Sequence, residues 1–305
     1  MNDIDFYLLL DRIDIHNANA VSSPLTYGFP AVSGFLGAIH ALERKLPFEA
    51  RLSFGGALIT SHQCRVKRYR SAPYSDYTLN QSRNPIRKTG QTASIIEEGK
   101  TDLCVSLAVP ITCDDYDDEE WLDEHKALFI QWVKETVSCQ RMAGGSVTAI
   151  EAVELIPSES IDNLKPRLAP GFILMDARQE LAAITQELQK QQPDATTLDA
   201  LLEVATLHHQ PEKDQEGETQ WRTTSVRRGR GWLVPMPVGY QAISPRFEPG
   251  VMANCRTDQY PTQFVEALYS LGKWVFPYSL SSLEPCFWQW GQEDNGLYLI
   301  EQNTN

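Results

Sequence analysis

The feature that most restricts the fold is a series of changes in apolar periodicity over the first half of the chain. Phe6, Leu8 and Leu10, then Ile13 and Ile15, alternate as in a half-buried strand with a register break near Asp11. Val32, Phe35, Leu36, Ile39, Leu42 and Leu46 recur at helical spacing, which predicts a helix from about Ala31 to Leu46, ended by Pro47. A second strand is expected from about Leu52. Leu103, Val105, Leu107 and Val109 alternate as a third. Trp121, Leu122, His125, Leu128, Phe129, Trp132, Val133 and Val137 share one face of a helix expected from about Glu119 to Arg141. SVTAIEAVELI, from Ser146, is a fourth strand.

The order β-α-β-β-α-β predicts an α+β fold of ferredoxin-like, RRM-like arrangement. Its sheet packs two helices on one face and leaves the other face and the loops for ligands. That core is expected over residues 1–155, with an extended basic excursion near 62–100. An irregular α+β extension packed on it is expected over 156–305. There PGFILMD reads as a strand, residues 177–192 as a helix broken at Pro193, and Thr197–Leu207 as a short helix capped by Thr196 or Thr197. RGWLVPMPVGYQAISP holds three prolines, which argues against a long central strand. PTQFVEALYSLGKWVFP reads as a helix with Phe264, Leu268 and Leu271 inward, PCFWQW and GLYLIE as closing strands, and 208–220 as a mobile acidic loop.

Charge is segregated along the chain. The 305 residues carry a formal net charge of −13, which argues against a whole-surface nucleic-acid binder. Eight acids fall within residues 112–126. Against them stands a tract holding Arg65, Lys67, Arg68, Arg70, Arg83, Arg87 and Lys88, opposed only by Asp76, with Tyr69, Tyr74 and Tyr77 interleaved. A second tract holds Arg222, Arg227, Arg228 and Arg230. Arginine pairs with phosphate and tyrosine offers a stacking face, so the first mixture suits single-stranded RNA. Composition alone favours the plainer reading, a solvated loop or a charge-protected edge strand.

No metal or cofactor signature stands out. The six cysteines, Cys64, Cys104, Cys113, Cys139, Cys255 and Cys286, form no C-x-x-C pair, and reduced thiols in a cytoplasmic protein are expected. The acids near the N-terminus precede an apolar run too short for a signal-peptide core. No apolar stretch approaches the roughly 18 residues of a membrane span. Asp114, Asp115, Asp117 and Asp118 lack a calcium-loop pattern and suit a solvated helix N-terminus. His16, His40 and the pair His208-His209 have no matching nucleophile, so no catalytic role is expected. Asn17 and Asn19 fit either base-edge recognition or turn chemistry. Gly144-Gly145 fits a phosphate approach, a helix C-cap, or both.

LLLDRIDIHNANAVSSPLTYGFPAVSGFLGAIHALERK, LNQSRNPIRKTGQTASIIEEGKTDLCVSLAV, QRMAGGSV, LAPGFILM, DATTLDALLE, GWLVPMPVGYQAISP and FVEALYSLGKWVFP follow in this order over nearly the whole chain. Together they resemble the Cas-five-type subunit (the second Csy protein) of type I-F CRISPR surveillance complexes, of the RAMP superfamily. The resemblance implies a modified ferredoxin-like core with an inserted thumb or hairpin. It implies a non-catalytic subunit that pairs with the large subunit, holds the crRNA 5′ handle, adjoins a backbone subunit and stands near incoming target DNA. Phage anti-CRISPR proteins target such complexes, and nothing in the sequence says whether one binds here. Within that reading Asn17, Asn19, Ser22 and Ser23 form a polar RNA-contacting loop. Arg83 and Asn84 clamp phosphate, Arg65, Lys67, Arg68 and Arg70 attract it, and Gly144 and Gly145 let the RNA backbone approach.

Overall fold

The computed structural model describes residues 4–213, 218–255, 257–291 and 295–302. It is a mixed α and β chain with a large antiparallel sheet. Two compact units form, one from the chain up to Leu174 with Phe276–Trp288, the other from Met175–Val275 with Gln289–Gln302.

The first unit follows the expected alternation: β1 (Phe6–Asn19), α1 (Ser33–Glu43), β2 (Leu52–Phe54), β3 (Leu58–Tyr69), β4 (Thr78–Arg83), β5 (Ile95–Glu98), β6 (Lys100–Cys113), α2 (Tyr116–Glu124), α3 (Lys126–Ser138), β7 (Arg141–Met142), β8 (Gly145–Pro157), α4 (Lys165–Leu168) and β9 (Phe172–Asp176). Its strands lie in the order β9-β3-β6-β1-β8-β7, with β2 beside β6. The excursion expected between β3 and β6 is an antiparallel β4–β5 hairpin, joined to β3 where Arg68 faces Leu79 and Tyr69 faces Thr78.

Side-chain parity divides the sheet. Leu8, Leu10, Ile13 and Ile15 of β1 and Val105, Leu107, Val109 and Ile111 of β6 are fully buried. Phe54 faces Ile111 across the strands and meets Phe129 of α3 edge-on, so this parity is the helical face. On the opposite face Tyr7 stacks on Phe287 at 5.2 Å. The register break expected near Asp11 is a bulge: Leu10 pairs Leu107, Ile13 pairs Val105, and Arg12 adopts φ +46°.

The long helix expected over 119–141 is two helices. His125, at φ −104° and ψ +18°, separates α2 from α3. Its ring stacks on Trp121 and its Nδ1–H donates to the Trp121 carbonyl at 3.0 Å, a local bond that competes with continuation of the helix. The acids before α2 do more than cap it. Asp115 accepts from the Asp118 N–H, while Arg51 pairs with Asp114, Asp115 and Asp118.

The second unit holds α5 (Arg178–Gln189), α6 (Thr197–Ala205), the separate hairpin β10 (His208–Lys213) and β11 (Thr219–Thr224), then β12 (Trp232–Ala242) and β13 (Val265–Val275). After β14 (Trp288–Trp290), β15 (Leu297–Gln302) closes the order β15-β12-β13. Thr196 and Asp199 cap α6 reciprocally, as the sequence allowed. Ala177, Leu181, Ile184, Ala200, Leu201 and Val204 bury Leu233 and Leu271 of the sheet.

Three expectations are corrected here. The supposed helix at 261–277 is β13, paired with β12 from Val265 to Val275; its Val, Tyr and Trp content suits a strand, and while Phe264, Leu268 and Leu271 keep helical spacing, Val265, Ala267, Tyr269 and Leu271 alternate as a strand does. The proline-rich segment is the 11-residue β12. Pro235 and Pro237 are in phase, so both missing donors fall on one side of the strand and leave the other side's ladder intact. Gly239 lets β15 approach, because a Cβ there would lie 2.0 Å from the Tyr298 carbonyl oxygen. The expected acidic loop at 208–220 is the β10–β11 hairpin, apart from 214–217, which lie outside the described residues.

A polar network sits inside the non-helical face of the first unit. Asp11 is fully buried and receives Arg167 at 3.0 and 3.1 Å and the Ser106 hydroxyl at 2.8 Å. Ser106 in turn accepts from the Arg12 N–H at 2.9 Å and bonds His62 Nε2 at 2.8 Å. Arg167 also pairs with Glu154 at 2.7 Å, tying α4 to β1 and β8. Since the Ser106 proton goes to Asp11, His62 Nε2–H is the donor and Nδ1 is the bare nitrogen, buried without a partner. Burial pushes His62 down, Arg12 adds to this, and Asp11 and Glu151 oppose it.

Arg167→Met strands the Asp11 carboxylate and is expected to cost about 2–3 kcal/mol in urea unfolding, with Asp11→Asn in the same chain recovering part of it. His62 gives a pH dependence. Its folded pKa lies below the unfolded 6.5, so the unfolded chain binds the proton first. The contribution is complete above pH 6.5 and lost as pH falls through and below that value. The urea midpoint is expected to fall more between pH 7.5 and 5.5 in the parent than in His62→Gln.

Candidate nucleic-acid interface

At one end of β1, β6 and β3 the apolar pattern gives way to polar residues. Lys100 and Asp102 of β6 share a parity; Arg65 faces Asp102, Lys67 faces Lys100, and Asn19 faces Lys100 from the other side. A second bulge shapes this end. Ile15 pairs Leu103 and Ala18 pairs Thr101, so His16 and Asn17 together oppose Asp102. Asn17 adopts φ +56°, a left-handed conformation that asparagine tolerates better than most residues.

The Asp102 side chain fills the gap in the ladder. Its Oδ1 accepts from the Asn17 N–H at 3.1 Å and from Lys67 Nζ at 2.8 Å, and its Oδ2 from Arg65 at 3.3 Å. Lys67 also donates to Asn17 Oδ1 at 2.7 Å. Burial pushes the Asp102 carboxyl up, but the bonds from Lys67, the Asn17 N–H and Arg65 outweigh it and hold it at about 2. Asn17, Arg65 and Lys67, expected separately, are thus one cluster, and Asp102 is the member that sequence reasoning missed. Its signal was the strand alternation through TDLCVSLAV, which places Asp102 on the same face as Lys100.

Arg68 and Arg70 have the opposite parity to Arg65 and Lys67. Their guanidinium carbons lie 4.1 and 5.1 Å from the centroid of the exposed Tyr77 ring, and Arg70 Nε donates to the Ala72 carbonyl at 2.9 Å. The Arg70 hydrogen bond, then the positive fields of Arg68 and Arg70, draw the Tyr77 phenol below its ordinary value. Arg83 and Asn84 are not brought to the Asp102 cluster. Arg83 ends β4 opposite Ile95, some 16 Å along the hairpin from Thr78 at the strand rise of about 3.3 Å per residue. Arg83 and Asn84 are exposed, as are Arg87 and Lys88 in the turn beyond.

The remaining candidates spend their polar atoms locally. Ser22 and Ser23 bond the Thr26 hydroxyl at 2.7 and 2.6 Å, and Ser23 also accepts from the Leu25 and Thr26 N–H groups. Asn19 Oδ1 accepts from the Val21 N–H at 3.2 Å. Gly144 lies in the β7–β8 turn and Gly145 opens β8 opposite Met142, both past the C-cap of α3 at Cys139, so they are not its cap. Ala143 at φ +49° and Gly144 at φ +80° form the paired left-handed turn of a two-residue hairpin. A Cβ on Gly145 would come within 2.7 Å of the Ala18 nitrogen and the His16 oxygen, so this glycine lets β8 close against β1.

Half of the second basic tract is spent on acids. Arg230 pairs with Glu180 at 3.1 Å and Glu187 at 2.6 Å, and Arg222 with Glu212 at 3.1 Å. Among the described residues no group of His, Cys, Asp and Glu side chains could hold a metal ion. No helix among them is long and apolar enough to cross a membrane.

Comparison with known proteins agrees along the whole chain. The family model described as CRISPR-associated protein (Cas_Csy2) matches residues 8–300. The "CRISPR-associated protein Csy2" of Pseudomonas aeruginosa (strain UCBPP-PA14) is 35% identical over 318 residues, covering 98% of this chain and 95% of that protein. With both the family model and a full-length relative in agreement, the chain belongs to the CRISPR-associated Csy2 family.

Proposed function

We infer that this chain is a non-catalytic RNA-binding subunit of a type I-F CRISPR surveillance complex, pairing with the large subunit and holding the crRNA 5′ handle. The observation that carries this reading is the set of cations that lies beyond the Asp102 cluster, at the end of β3 and out on the β4–β5 hairpin. There Arg68, Arg70, Arg83, Arg87 and Lys88 have no carboxylate partner among the described residues. Backbone phosphate can therefore enter without displacing an acid, and the exposed Tyr69 and Tyr74 offer rings on which a base stacks.

The fold supports the same reading. Numbered within the alternating core, the strand order β3-β6-β1-β8 is 2-3-1-4, as in a ferredoxin-like RAMP core, and the hairpin stands where such a core carries a thumb. The non-catalytic part rests on geometry. His62 packs half-buried against Ser106, which lies between it and Asp11, and this is not the base–nucleophile order of a hydrolase. The acidic segment 114–124 offers a docking face for a basic large subunit, and its negative field keeps RNA on the basic side. A neighbouring backbone subunit and target DNA near the tail complete the proposed surroundings.

Arg83→Ala, in the full chain co-purified with its large subunit, is expected to weaken handle-RNA binding and to lower the slope of log affinity against log salt by about one. Unchanged affinity and slope exclude the clamp. Labelled repeat RNA incubated with the parent without metal is expected to stay intact; cleavage that disappears in His16→Ala overturns the non-catalytic assignment.

A further inference from the structure

A carboxylate in the middle of a phosphate-binding surface is expected to weaken it, and Asp102 lies there. Its surroundings point the other way. Three of a carboxylate's roughly four acceptor positions are occupied, by the Asn17 N–H, Lys67 and Arg65, and its side chain is only 18% exposed. Little of its charge is therefore presented to solvent, while its geometric effect on its partners is large.

Lys67 shows that effect. An ammonium has three donors. Two are committed, to Asp102 Oδ1 at 2.8 Å and Asn17 Oδ1 at 2.7 Å, and these two acceptors fix the direction of the third. Asn17 is oriented by the same contacts. Lysine can only donate, so the amide atom facing it is Oδ1, and the Nδ2 end of the exposed side chain is left open as a donor. The left-handed Asn17 backbone is itself held by the Asp102 bond to its N–H. Arg65 gives one contact to Asp102 and remains 72% exposed. Arg65, Lys67 and Asp102 together leave a net positive charge with its donors pre-aimed.

We propose that Asp102 is a positioning residue of the RNA site, strengthening RNA binding by fixing Lys67 and Asn17 although its own charge opposes phosphate. This rests on the RNA-binding reading given above. The depressed Asp102 pKa, about 2, means that the arrangement persists across the physiological pH range. The benefit is preorganisation: a long, flexible lysine loses its rotamer freedom on folding rather than on binding.

The sign of the effect is the test. Handle-RNA affinity is measured against salt for the full chain with its large subunit, as parent, Asp102→Asn, Lys67→Met and the double variant, each checked by thermal unfolding. Lys67→Met is expected to bind about tenfold more weakly with the salt slope lowered by about one. Asp102→Asn is expected to bind several-fold more weakly despite removing a negative charge, and the double variant to lose less than the two single losses combined, because Asp102 acts in part through Lys67. Tighter binding with a steeper slope in Asp102→Asn overturns the positioning role, as do additive losses in the double variant. Unchanged binding in Lys67→Met overturns the RNA-binding assignment of the cluster itself. If Asp102→Asn unfolds early, Asp102→Glu keeps the charge and moves the carboxylate by one methylene; positioning requires weaker binding there, and parental binding overturns it.

Discussion

Strand β1 constrains the rest of the first unit. It pairs with β6 on one edge and β8 on the other, and Phe6–Asp11 are buried on both faces. Every polar group it carries inside must therefore find a partner within the unit. Two bulges solve this. The first, at Arg12, turns Asp11 and the Arg12 N–H to the non-helical face, where Arg167 and Ser106 meet them. The second, at Asn17, opens a gap that Asp102 fills. One bulge makes a buried lock and the other an open site, and the difference is what lies over them: Arg167 and the 168–171 segment cover the first, while solvent reaches the second.

Charge illustrates how little a tract says until it is folded. Each basic tract divides on folding: Arg230, Arg222, Arg65 and Lys67 meet Glu180, Glu187, Glu212 and Asp102 across elements, whereas Arg68, Arg70 and Arg83 meet no described acid. The acids at 114–118 are likewise gathered by Arg51 as well as by the helix dipole. A chain with formal net charge −13 can thus carry a basic surface, because pairing removes cations from one region and leaves them in another.

Much of the first unit was legible. The alternation at 6–15, its break near Asp11, the helix from Ser33 and the strands at 101–112 and 146–156 follow from periodicities that burial enforces. The second unit was harder. VEALYSLGKWV satisfies both a helical and a strand period, and only its 11-residue pairing with β12 decides between them. The prolines of β12 argued against a strand because residue counts do not reveal that two prolines in phase leave one ladder whole.

For the candidate site, sequence alone determined the residue types: the asparagines at 17 and 19, the cations of β3 and the hairpin, and the glycines at 144 and 145. It also carried the ordered motifs of the Csy2 family. Tertiary structure alone decided which of these act together. It joined Asn17, Lys67 and Arg65 through Asp102, closed Ser22 and Ser23 onto Thr26, turned Gly145 toward β1 and carried Arg83 out along a hairpin. Periodicity is local and is written in the chain. Which donor faces which acceptor across strands 35 to 85 residues apart depends on register and bulges, and those are fixed only when the sheet forms.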